Sequence, residues 1–260
     1  MTNGAILEVR ELSKAFGGVR AVDGIEISVA PGELRCIIGP NGAGKSTFFK
    51  LLLGSIKPDR GTIRFKGLDI TRQQPHRRAH MGIGMKFQNL GVYQDLSVHH
   101  NLRLPLQHSL SNEAMEGEIT RLLELLNLAG TEDQMVANLS HGQKQWLAIG
   151  MALAMKPSLL LLDEPTAGLS PEETKATVQL VQAVHAEGVT ALVVEHDMAF
   201  VRQLSASITV LHYGRVFAQG SLAEIESNEE VRKIYLGTTN LGQRRRRRKT
   251  NKSTGLGEQT

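Results

Sequence analysis

Cysteine is almost absent from this sequence: Cys36 stands alone among 260 residues. An internal disulfide is therefore excluded, and a reducing compartment is expected. Cys36 sits inside a short apolar run, which reads as core rather than as a nucleophile. No uninterrupted apolar stretch approaches the roughly 18 residues that a membrane-crossing helix needs, so none is expected. The first residues, Met1-Thr2-Asn3-Gly4, lack the basic-then-apolar pattern of a secretory signal. Together these absences predict a cytoplasmic protein. No internal repeat is visible, and no sustained heptads occur.

Acidic residues are scarce at one end. Residues 241–260 carry seven basic side chains, Arg244 to Arg248, Lys249 and Lys252, against the single acid Glu258. That segment holds a net +6 of a total of +4, which leaves the rest of the chain at −2. The high isoelectric point thus belongs to the tail and describes no basic face on a folded body. Apolar residues thin out there, so residues 238–260 are expected to be a disordered basic tail.

What is present is a pattern of short Ile, Val and Leu runs bounded by Gly or Pro-Gly. Residues 6–9, 25–29, 34–38 and 63–65 read as strands. Residues 159–162, 191–194 and 208–211 are solid apolar runs, as in parallel strands covered on both faces. Helical stretches separate them, as in βαβ units. From about 90 to 155 strand signals vanish. Leu122, Leu123, Leu125, Leu126 and Leu128 recur at helical spacing, which predicts a helical insert. The fold class is α/β, with a mostly parallel sheet and a further β part.

The strongest motif is Gly39-Pro40-Asn41-Gly42-Ala43-Gly44-Lys45-Ser46-Thr47. It matches G-x-x-x-x-G-K-S/T between a predicted strand and a predicted helix, the context that a phosphate loop requires. Glycines let the main chain close around phosphates, and the loop and helix N–H groups face the anion. Lys45 is expected on the β- and γ-phosphates and Ser46 on Mg²⁺. A second motif, Leu159-Leu160-Leu161-Leu162-Asp163-Glu164, ends an apolar strand in two acids. Asp163 is expected to hold Mg²⁺ and Glu164 to polarise an attacking water.

A third motif narrows the class. Leu139-Ser140-His141-Gly142-Gln143 precedes a helix and resembles the LSGGQ signature of ABC ATPases, with His141 where Gly is usual. The resemblance covers about residues 5–237. It implies a two-lobed ATPase in which Ser140, His141, Gly142 and Gln143 face the ATP of a second subunit. Gln88 resembles the family's Q-loop residue, which contacts Mg²⁺ and senses the membrane partner. His196 resembles the switch histidine on the γ-phosphate, and Phe16 the aromatic that stacks on adenine. Thr166-Ala167-Gly168-Leu169-Ser170 resembles the D-loop, with Ser170 where many members carry Asp.

Within that family, three phrases look like the ATPases of bacterial branched-chain amino acid and urea importers. They are Ala167-Gly168-Leu169-Ser170-Pro171-Glu172-Glu173, Val193-Val194-Glu195-His196-Asp197-Met198 and Val231-Arg232-Lys233-Ile234-Tyr235-Leu236-Gly237. Lys86-Phe87-Gln88 and the Leu139-to-Trp146 stretch look like the urea branch. The ending also resembles lipopolysaccharide exporters. The implied partners are a second ATPase subunit, identical or paralogous, two integral-membrane permeases and, for an importer, a periplasmic binding protein. The implied location is the inner face of the plasma membrane, with residues 89–101 facing the permeases. The implied cofactors are ATP and Mg²⁺. A nucleic-acid machine of the DNA-repair type would need a long coiled coil, and a tandem translation factor a second copy of every motif; neither is present.

Overall fold

The run Leu159 to Leu162 is fully buried because both faces of its strand are covered, and the two faces belong to different cores. Leu160 and Leu162 pack with Cys36, Ile38 and Val193 under helices, whereas Leu159 and Leu161 pack with Ile37, Leu192 and Val194 under a second sheet. This two-sided burial is the reason for continuous rather than alternating hydrophobicity. The computed structural model describes residues 4–88, 90–107 and 111–234. The basic tail, the end of the Val231-to-Gly237 phrase from Tyr235 onward, and Asn89 lie outside the described residues.

In chain order the strands and helices are β1 (Leu7–Phe16), β2 (Val19–Val29), β3 (Leu34–Ile38), α1 (Lys45–Leu53), β4 (Arg60–Phe65), β5 (Leu68–Asp69), α2 (Pro75–His80) and β6 (Ile83–Lys86). Then come α3 (Val98–Leu106), α4 (Asn112–Leu125), α5 (His141–Ala154), β7 (Leu159–Asp163), α6 (Pro171–Ala186), β8 (Thr190–Val194), α7 (Met198–Gln203), β9 (Ser207–His212), β10 (Arg215–Gly220) and α8 (Leu222–Ser227). One sheet has the order β10-β9-β3-β8-β7-β6. It is parallel from β9 to β6, with β10 antiparallel at the edge. The other, β2-β1-β4-β5, is antiparallel. The fold is thus the expected α/β one, with a parallel core and an antiparallel part.

Four differences from the sequence reading have physical causes. β1 runs on past residue 9 to Phe16, and β2 begins at Val19, ahead of the apolar block at 25–29, because a bulged hairpin accommodates exposed Glu11 and half-buried Lys14 and Asp23. β6 and β10 were not expected. β6 is four residues long and contains Gly84 and Lys86, so its strand pattern is weak. β10 alternates exposed and half-buried residues at a sheet edge.

Between β6 and β7 the described residues form α3, α4 and α5 and no strand. Leu122, Leu123, Leu126 and Leu128 are buried and Leu125 is half-buried, and α3 and α4 pack on α5. Trp146 on α5 donates its indole N–H to Thr177 Oγ1 on α6 at 3.0 Å, tying the helical region to the sheet layer. No helix among the described residues is long and apolar enough to cross a membrane.

Candidate functional site

Four adjacent parallel strands, in the order β3-β8-β7-β6, deliver their following loops to one edge of the sheet. Ligands of open α/β sheets bind at that carboxyl edge. After β3 comes the phosphate loop. Its fit to the rest of the fold is main chain against main chain. A Cβ at Gly39 would collide with the carbonyl oxygen of Leu211, and one at Gly44 with that of Ala21; Gly44 also has φ +100°. The loop closes on itself through Ala43 N–H to Pro40 O (3.1 Å) and is anchored by Gly214 N–H to Ala43 O (3.0 Å). Lys45, first in α1, is buried and folds back to donate to Gly39 O (2.7 Å) and Pro40 O (3.2 Å). Burial lowers its pKa, against the pull of Glu164, Asp163 and Glu195. Ser46 is exposed beside it and Thr47 half-buried.

After β7 come Asp163 and Glu164. Asp163 is 6 % exposed, and its Oδ1 is buried without a hydrogen-bond partner. Burial, and then the charge of Glu164, raises its pKa. A buried carboxylate oxygen without a protein donor takes its partner from outside the chain, a water or a cation. Glu164 has φ +46°, the left-handed region that non-glycine residues rarely occupy. Its Oε2 accepts from Gln88 Nε2 at 3.1 Å, and its Oε1 lies 3.7 Å from His196 Nδ1. Gln88 follows β6 by two residues and His196 follows β8 by two. The structure therefore brings Gln88, Glu164 and His196 together.

The signature residues are elsewhere. Ser140 caps α5 in a reciprocal box: Gln143 N–H donates to Ser140 Oγ (3.1 Å) and Ser140 N–H to Gln143 Oε1 (2.9 Å). Ser140 Oγ also donates to Glu173 Oε1 at 3.2 Å. Hydrogen bonds from Ser170, Ser140 and Gly142 hold the Glu173 carboxyl below its usual pKa. His141 Nε2 lies 3.1 Å from the carbonyl oxygen of Ala167 and 3.4 Å from Gln145 Nε2. The signature is thus attached to the segment after Glu164. Among the described residues, no hydrogen bond joins it to the phosphate loop of its own chain. Phe16, half exposed, ends β1 beside Val19 on the hairpin whose Ala21 backs Gly44; Lys14 Nζ is 5.5 Å from its ring centroid.

A family model described as ABC transporter matches residues 22–167. The high-affinity branched-chain amino acid transport ATP-binding protein BraF of Pseudomonas aeruginosa is 36% identical over 251 residues, covering 89% of this chain and 98% of that protein. The lipopolysaccharide export system ATP-binding protein LptB of Acidithiobacillus ferridurans is 34% identical, covering 89% and 97%. A dimeric post-hydrolysis ATP-binding cassette bound to ADP and Pi superposes with a TM-score of 0.74 at 26% identity, covering 83% of this chain and 98% of that one. The chain belongs to the ABC transporter family. It is an ATP-binding, ATP-hydrolysing subunit of a transporter.

Two buried charges at the site of this ABC ATPase escaped the sequence reading. Glu195 is fully buried; its Oε1 accepts from Thr166 N–H (3.1 Å) and Thr166 hydroxyl (2.6 Å), and its Oε2 from His196 N–H (3.1 Å). The signal was an acid ending an apolar strand, the pattern that singled out Asp163. Lys86 is 1 % exposed, and its Nζ donates to the carbonyls of Asp163 (3.2 Å) and Glu164 (3.3 Å). Burial lowers its pKa to about 8. Cys36, by contrast, behaves as core: it is buried, and burial first and Glu195 second push its thiol up to about 12.

The His141 contact can be tested. His141→Gly removes a link to Ala167 O but leaves the Ser140–Gln143 cap. Turnover in a phosphate-release assay is expected to stay within about fivefold of wild type, the scale of one lost neutral hydrogen bond. A collapse of activity would assign the imidazole a direct part in the site.

Proposed function

We propose that this subunit holds Mg-ATP at the carboxyl edge of β3, β8, β7 and β6 and hydrolyses it as half of a dimer. The observation that carries this reading is the meeting of Gln88, Glu164 and His196 next to the orphaned Asp163 oxygen. The loop amides and Lys45 bind the β- and γ-phosphates. Ser46, Gln88 and Asp163 have the oxygen donors that suit Mg²⁺, and the bound ion supplies neutralising charge on the phosphates. Glu164 orients water toward the γ-phosphorus, while His196 contacts the γ-phosphate. The P–O bond to ADP breaks as the water oxygen bonds, and the released protons pass to phosphate and solvent. Phe16 offers its ring to adenine. Ser140, Gly142 and Gln143, with the main chain of His141, meet the γ-phosphate held by the other subunit, so nucleotide stabilises the closed pair and hydrolysis releases it.

The partners fit a transporter: a second ATPase subunit and two permeases. Residues 89–101 face the permeases in this reading. An open groove lined by Leu53, Pro75, Ala79, Met85, Phe87 and Met151, with Gly91 on it, lies beside that segment and supports the assignment. The cargo reading is import of branched-chain amino acids or urea, with a periplasmic binding protein upstream, at the inner face of the plasma membrane. Its support is the likeness to BraF and the phrases from Ala167 and Val193. Export of lipopolysaccharide is the second reading, favoured by the likeness to LptB. Uptake of labelled leucine, valine and urea, compared between cells with the wild-type subunit and cells with Lys45→Ala, separates them. Loss of leucine or urea uptake is expected. Unchanged uptake with altered surface lipopolysaccharide would favour export.

The tail gives a smaller prediction. Deleting residues 241–260 is expected to leave ATP turnover unchanged by phosphate release, because no motif lies there. A large loss of turnover would make the tail part of the enzyme. Binding of the full chain, but not the truncated one, to anionic vesicles or RNA in a salt-sensitive way would give it an electrostatic role.

A further inference from the structure

We propose that Lys86 is a positioning residue for hydrolysis: its ammonium clamps the carbonyl oxygens of Asp163 and Glu164 and so fixes the left-handed turn that aims the Glu164 carboxylate. This rests on the reading of Glu164 as the residue that orients water.

Strand register explains the clamp. Lys86 is the last residue of β6 and lies beside Leu162 of β7 in a parallel pair. Its side chain therefore reaches along the carboxyl edge to the two residues that follow Leu162. The ammonium is 1 % exposed and donates to two consecutive carbonyls, at 3.2 Å and 3.3 Å. Among the described residues it forms no direct ion pair within 4.0 Å. Burying an ammonium is unfavourable, and methionine would fill similar volume without that penalty. What the ammonium adds is three N–H donors, enough to hold two carbonyls at once.

Those carbonyls belong to the strained part of the site. Glu164 has φ +46°, a conformation that persists only where its surroundings over-determine it. On one side, Glu164 N–H donates to Val194 O at 3.0 Å. On the other, Lys86 holds the carbonyls before and after the Glu164 Cα. Two residues beyond Lys86, Gln88 holds the carboxylate itself. The end of β6 thus fixes both the main chain and the side chain of Glu164. Burial lowers the Lys86 pKa, and the nearby carboxylates of Asp163, Glu195 and Glu164 oppose that shift. No hydrogen bond joins Lys86 to Lys45 or the phosphate loop, and its contact with Asp163 is to the main-chain carbonyl and not to the carboxylate.

The test uses the full chain and a double-mutant cycle. Lys86→Met is expected to lower kcat about 10- to 100-fold, the scale of a small misplacement of a catalytic group. The KM for ATP should stay within about threefold, because transition-state positioning and not ground-state binding is lost. In a Glu164→Gln background, Lys86→Met should cost little more, since it acts through a carboxylate already gone. Lys86→Arg, which keeps donors and charge, should turn over at least about fivefold faster than Lys86→Met. If Lys86→Met does not melt cooperatively, Lys86→Gln, with one carboxamide donor, takes its place in the same cycle.

Unchanged kcat in the Lys86 variant overturns the proposal. So do losses that multiply in the double mutant, or parallel losses of kcat and ATP affinity. Full hydrolysis by Glu164→Gln alone overturns the Glu164 reading and the Lys86 proposal with it. A dead Glu164→Gln beside a fully active Lys86→Met overturns the Lys86 proposal only.

Discussion

Glu164→Gln is expected to slow ATP hydrolysis about 10²–10⁴-fold, equivalent to about 3–5 kcal/mol of barrier, while ATP still binds. The substitution keeps the size of the side chain and its place on the turn after β7. It removes the negative charge and one basic oxygen. Binding survives because its contacts come from Lys45 and the loop, which Glu164 does not touch by any described hydrogen bond. Removing a negative charge near the γ-phosphate also favours the bound state. In the proposed cycle hydrolysis reopens the pair, so the variant should accumulate as an ATP-dependent dimer on size-exclusion chromatography. Ser140→Arg in the same background should abolish that dimer, because the bulky cation breaks the cap of α5 and blocks the approach of a γ-phosphate. A Glu164→Gln variant with wild-type phosphate release would remove Glu164 from the mechanism. If closure depends on the permeases, the dimer should appear once they are present.

Lys45→Ala is expected to weaken Mg-ATP binding about 10- to 100-fold by calorimetry. A charge-assisted hydrogen bond in a desolvated place is worth about 1.5–3 kcal/mol. Lys45 is already desolvated and held by Gly39 O and Pro40 O. Its ammonium therefore meets phosphate with little further loss of solvent. Equal affinity in mutant and wild type would overturn its assignment. The two variants differ in kind: Lys45→Ala should lose affinity and the dimer together, whereas Glu164→Gln should lose turnover alone.

The parts of this molecule that could be read from sequence are those in which a local pattern has one physical meaning. Glycine spacing between a strand and a helix marks a phosphate loop. Four leucines ending in Asp163 and Glu164 mark a strand covered on both faces with acids at its edge. Ser140 with Gln143 marks a capped helix. The parts that could not be read are tertiary. Nothing near His141 in sequence announces Ala167 O as its partner. Nothing around Lys86 in sequence announces its burial against the carbonyls after β7 until β6 is placed beside β7. β6 was hidden by its shortness and its glycine, and β10 by its half-exposed edge position. The pairing of Glu195 with Thr166 joins residues 29 apart through the closeness of β7 and β8.

The way the phosphate loop is braced has a consequence for folding. Gly39 rests on the carbonyl of Leu211 in β9, Gly44 on that of Ala21 in β2, and Ala43 on the N–H of Gly214 in the β9–β10 turn. Three stretches separated by up to about 190 residues of chain must dock before the loop takes its shape. A chain with β9 or the β1–β2 hairpin undocked has lost that support, so nucleotide discriminates between docked and undocked ensembles. At about 100 times its Kd, a ligand of the docked state adds about 2.7 kcal/mol of stability. ATP is then a folding ligand as well as a fuel. Denaturant midpoints should rise with nucleotide concentration, and protection of β9 amides from exchange should rise with them.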